Sequence, residues 1–132
     1  MKNLISIPGT LAVTTIIAGL VLVGTQGVVW SHPATSINGD PLGWVWPPEC
    51  CNSAATSPTG DCATIDPSTV REGPDGYIVT LRVGDHPRLK TKGYTAVIPY
   101  HLARNSPSGE YGICLTTDGT HRFCFFAGGK NF

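Results

Sequence analysis

The chain has 132 residues, with nine Lys or Arg against nine Asp or Glu. That length holds one domain rather than two, and the level charge offers no basic field for nucleic acid or an anionic membrane. The charge is unevenly placed, since residues 4–30 carry none and Lys2 is the only charged side chain before Asp40.

The first segment has the three regions of a secretory signal. Met1-Lys2-Asn3 is a short positive start, and Ile16 to Val23 is the densest apolar run. Gly24, Gln26 and Gly27 then weaken the helix, and Val29-Trp30-Ser31 approximates a small-residue cleavage site. The spacing predicts cleavage after Ser31, with residues 1–31 as signal peptide and His32 at the mature terminus. The alternative is an uncleaved anchor over Leu11 to Trp30, a length of 20 residues that matches a bilayer core. Thr14, Thr15, Thr25, Gln26 and several glycines count against it. Both readings export residues 32–132, to the periplasm or the outside, and membrane contact is expected only through residues 4–30 of an uncleaved chain.

Beyond the leader the sequence is punctuated by turns. Asn38-Gly39-Asp40-Pro41 is turn-rich, Pro47-Pro48 forbids helix, and between them Trp44 and Trp46 alternate onto one side of an extended stretch. The pair is read as covering the edge of a small core, with an exposed ligand-binding platform as the alternative. Residues 52–67 read as a loop. A short strand is expected over Ser68 to Glu72, and a better one over Tyr77 to Val83, with Tyr77, Val79, Leu81 and Val83 facing the core. Tyr94 to Ile98 is a strand stopped by Pro99, and Leu102-Ala103-Arg104 has room for one helical turn. Tyr111 to Leu115 and Phe123 to Ala127 are the arms of a closing hairpin. Short strands between Gly/Pro turns predict a mainly β fold, a small β-sandwich or barrel with long loops, preceded by the hydrophobic signal helix.

All five cysteines lie in the exported part: Cys50, Cys51, Cys62, Cys114 and Cys124. Export makes disulfides the default, and the odd number leaves one thiol over. A three-residue loop, Asp118 to Thr120, would set Cys114 opposite Cys124. The preferred scheme is Cys114–Cys124 with Cys51–Cys62 and a free Cys50, and pairing of Cys50 or Cys51 with the C-terminal hairpin stays open.

Few groups carry candidate chemistry. An N-terminal His32 with its own amine and a second imidazole, from His86, His101 or His121, would suit copper. His121-x-x-Cys124 is the closest His/Cys pair for zinc, and a bridged cysteine cannot ligate. A leftover Cys50 or Cys51 with a distant histidine is the only thiol nucleophile available. Arg88, Lys90 and Lys92 share one face of an extended chain but read first as a solvated loop. Asp61 and Asp66 are not marked as an acid–base pair.

The runs Trp46-Pro47-Pro48-Glu49-Cys50-Cys51, Asp61-Cys62 and Val70-Arg71-Glu72-Gly73-Pro74, closed by Ser106-Pro107-Ser108-Gly109-Glu110, Cys114 and Cys124-Phe125, resemble a group of small exported bacterial proteins of unassigned function. The resemblance spans nearly all of the exported part. It implies export and one domain, and brings no catalytic residues.

The expected function is therefore that of an exported, non-catalytic envelope or extracellular protein that binds an unidentified protein or envelope ligand through its loops and needs no cofactor. The alternative is a catalyst dependent on copper at His32 or on the leftover thiol.

Overall fold

The computed structural model describes residues 31–51 and 61–129. The expected leader over residues 1–31 lies outside them except for Ser31. The fold is mainly β, and no sheet closes into a barrel among the described residues. No helix among them is long and apolar enough to cross a membrane.

The chain opens with a hairpin of β1 (Pro33–Thr35) and β2 (Pro41–Val45), paired antiparallel. A 3-10 turn over Pro48–Cys50 follows. Next comes β3 (Cys62–Thr64), inside the stretch expected to be loop. A second 3-10 turn, Pro67–Thr69, leads into β4 (Val70–Gly73). Strands β5 (Gly76–Leu81) and β6 (Tyr94–Ile98) complete a three-stranded antiparallel sheet in the order β4-β5-β6. The remaining strands are β7 (Arg104–Asn105), β8 (Gly112–Leu115) and β9 (Arg122–Ala127). They join β3 in a four-stranded sheet of order β3-β8-β9-β7, in which only β7 runs parallel to its neighbour.

Two expectations need correction. Val83 was placed on the core face but is 54% exposed. The Asp85 carboxylate accepts the Arg82 N–H at 2.7 Å and the Gly84 N–H reaches the Leu89 carbonyl, so a turn takes Val83 off the sheet. The helical turn expected at Leu102-Ala103-Arg104 falls instead on Tyr100–Leu102 as a 3-10 turn, and Arg104 enters β7.

The four-stranded sheet is buried on both faces, which explains why β8 and β9 read as continuous apolar runs rather than alternating ones. One face presents Ile113, Leu115 and Phe125 to Tyr77, Val79, Leu81 and Ile98 of the three-stranded sheet, with Ile65 and Leu89 filling the edges. The other face presents Cys62, Cys114, Cys124 and Phe126 to Ala34, Trp46, Cys50 and Cys51. Period-two alternation along β8 and β9 thus sorts aliphatics to one core and cysteines to the other.

The disulfides follow from this register. Cys62 pairs with Cys114 across β3-β8, and Cys114 pairs with Cys124 across β8-β9, so three cysteines stand in one row. One sulfur can bond only one neighbour. Cys114 bonds Cys62, and Cys124 bonds Cys50 from the 3-10 turn above. This corrects the preferred scheme: Cys114 and Cys124 do lie opposite one another, but they are not bonded, and Cys51 rather than Cys50 is the free thiol. Two disulfides fit an oxidising, exported environment. Their sequence separations of 74 and 52 residues make each worth about 4 kcal/mol in the chain-entropy account.

Trp46 lies directly over Gly112. A methyl group at Gly112 would sit 2.5 Å from the Trp46 ring, so the sheet must be bare there. Gly112→Ala should lower unfolding stability by about 1–3 kcal/mol, measured by urea denaturation followed through tryptophan fluorescence; an unchanged midpoint would show that Trp46 does not rest on this strand. The double substitution Cys50→Ser with Cys124→Ser should cost about 3–4 kcal/mol in the same measurement. A loss below about 1 kcal/mol would contradict a bridge between these two residues.

Candidate functional site

Three chain segments end at one place on the cysteine face. His32 stands just before β1, and its carbonyl accepts the Trp46 N–H at 3.2 Å. The Ser31 hydroxyl donates to the Trp46 carbonyl on the same edge. Cys51 caps the 3-10 turn that carries Cys50, donating its N–H to the Pro48 carbonyl. Asp61 stands just before β3, where its carbonyl accepts the Leu115 N–H at 2.8 Å and extends the β3–β8 ladder.

These ends bring His32, Cys51, Asp61 and Cys62 together, with one ligand atom from each lying within 4.8 Å of the others. Cys51 and Asp61 are 3% and 1% exposed. The Sγ atoms of Cys51 and Cys62 are 3.4 Å apart. Burial pushes the Cys51 thiol up to about 11, and the Asp61 carboxylate that it hydrogen-bonds adds to the rise. His32 Nδ1 is 3.2 Å from the Pro33 carbonyl, a contact it makes as an N–H donor. That tautomer leaves the lone pair on Nε2, which is buried without a hydrogen-bond partner. His32 and Cys62 also line a cavity of 390 Å³ with Thr35, Trp46 and Pro87, which opens on the His32 side of the cluster.

The other candidates fall elsewhere. His86 is buried, its Nε2 donating to the Ile113 carbonyl at 3.2 Å and its Nδ1 accepting the Arg88 N–H at 3.1 Å. Both nitrogens are used, so His86 cannot complete a copper site with His32. His121 is exposed beside Thr120, and Cys124, three residues on, is bridged. No cluster of three or more metal-capable side chains among the described residues includes His86, His101 or His121. Trp46 is 2% exposed, and Trp44 packs on it at 4.5 Å between ring centroids while its Nε1–H reaches Ser108. Both rings also pack on Phe126, so Trp46 belongs to the core and the half-buried Trp44 covers its edge. Lys90 and Lys92 stay exposed, sharing a concavity with Asp118, whose carboxylate is held far below the usual range by Thr116 and Thr120. Asp66 caps the turn at Pro67–Thr69 and pairs with no second acid.

The sequence reading missed Asp61 as a partner of the free thiol. The one signal for it was its place beside Cys62, which becomes informative only once β3 is known to pair with β8. No family model, curated protein or solved structure matches this chain.

His86 supplies a stability prediction. Burial lowers its pKa from 6.5 to about 4, with the Arg88 charge adding to the drop and the Ile113 carbonyl opposing it. Between those two values the unfolded chain binds more protons, so stability should rise with pH across that window. As pH falls from 6.5 towards 4, on the order of 2 kcal/mol should be lost. His86→Gln, which keeps a donor and an acceptor, should flatten that slope in urea titrations run in a chelating buffer. An equal slope in both proteins would place the pH dependence elsewhere.

Proposed function

We propose that the chain is an exported, non-catalytic envelope or extracellular protein whose β domain binds a ligand or partner. In this reading residues 1–31 deliver it to the periplasm or the outside, or hold it there as a tether. The resemblance to small exported bacterial proteins with the same cysteine pattern supports that address. One observation carries the non-catalytic part: the only cysteine outside a bridge, Cys51, is 3% exposed and hemmed in by Asp61 and Cys62. A thiol nucleophile must meet its substrate and be held as thiolate. Cys51 meets neither condition, being buried and with its thiol pushed up to about 11. What the domain offers is a rigid, twice-stapled frame around a small polar cluster, an arrangement suited to holding something.

The test is alkylation of the metal-free protein with iodoacetamide. Denatured protein should show one reactive thiol per chain, mapping to Cys51. In the folded protein that thiol should react at least about tenfold more slowly. Fast alkylation of folded protein would favour the rival reading, a thiol-dependent catalyst.

A further inference from the structure

We propose that His32, Cys51 and Asp61 form a binding site for a zinc-class divalent transition-metal ion. This deepens the binding reading above and rests on it. Imidazole nitrogen, thiolate sulfur and carboxylate oxygen are the donor types zinc takes, whereas calcium and magnesium select oxygen alone. The ligand atoms lie within 4.8 Å of one another before any ion is bound. Around a tetrahedral zinc with bonds of about 2.0–2.3 Å, such atoms sit about 3.3–3.8 Å apart. Closing that gap takes about 1 Å of side-chain movement.

The surroundings are those of a ligand sphere. The Nδ1–H of His32 is held by the Pro33 carbonyl, which leaves the buried Nε2 without a hydrogen-bond partner and available as a donor, and metal-binding histidines are oriented by just such a contact at the other nitrogen. Asp61 is almost wholly buried, with its carboxylate against the Cys51 thiol that hydrogen-bonds it. On binding, Cys51 releases its proton to solvent, and thiolate plus carboxylate then balance the two charges of the ion. An electroneutral centre suits a largely buried site. Cys62 is held in its bridge to Cys114 and contributes no donor. The protein thus supplies three ligands, and the fourth position falls to water from the cavity that His32 and Cys62 line.

The experiment titrates cobalt(II), as a visible stand-in for zinc, into chelator-treated protein isolated after export with its disulfides intact. One equivalent should bind, with a thiolate-to-cobalt charge-transfer band that added zinc removes. Cys51→Ser should abolish the band. His32→Ala, at the half-buried rim where folding is least at risk, should weaken cobalt binding by at least about tenfold. His121→Ala should bind as the parent does. Absence of stoichiometric uptake, a band that survives Cys51→Ser in protein with a native thermal transition, or parent-like binding by His32→Ala would each overturn the proposal. A shielded Cys51 in protein that takes up no cobalt would defeat this site and leave the non-catalytic reading standing. A thiol readily alkylated in metal-free folded protein would defeat that reading instead.

Discussion

Three cysteines standing in one row across β3, β8 and β9 set the terms for the rest of the domain. Strand register fixes the row, because residues opposite one another in an antiparallel ladder project from the same face. Cys114 has neighbours on both sides and one sulfur to give. Its bond to Cys62 leaves Cys124 to capture Cys50, and that choice ties the 3-10 turn to the sheet and buries Cys50. The long loops closed this way matter in a chain whose two apolar clusters are each small. The same choice makes Cys51 the remainder, one residue from a bridge and in sulfur contact with another.

The central sheet serves two cores, and that double duty explains the composition of its strands. Ile113, Leu115 and Phe125 meet the three-stranded sheet, while Gly112, Cys114, Cys124 and Phe126 meet the tryptophans and the amino-terminal hairpin. The hairpin is what delivers His32, since the backbone bond between its carbonyl and Trp46 ties it to the edge of the cysteine face. Packing and the polar cluster are therefore not separate features. The ring that covers Gly112 also lines the cavity beside His32.

How much of this was legible beforehand depended on how local the cause was. Strands β5 and β6 announce themselves, because Tyr77, Val79 and Leu81 alternate with more exposed residues and Pro99 stops the next run. The last hairpin is equally plain from Asp118-Gly119 between apolar arms. Strand β3 is not, since Cys62-Ala63-Thr64 has no pattern of its own and becomes a strand only by pairing with β8. The disulfide partners were hidden for the same reason: nearness in sequence suggested Cys51 with Cys62, and spatial order across the sheet decided otherwise. The meeting of His32, Cys51 and Asp61 depends on three segment ends converging, which no spacing within one segment encodes.

The most direct measurement is mass-spectrometric mapping of disulfides in a non-reduced digest of the exported protein, with accessible thiols blocked before unfolding and shielded ones blocked by a second reagent after it. The account predicts linked peptides for Cys50–Cys124 and Cys62–Cys114, with Cys51 alone carrying the block added after unfolding. Recovery of Cys114–Cys124 or Cys51–Cys62 as the dominant linkage would contradict it, and the candidate site would fall with the pairing.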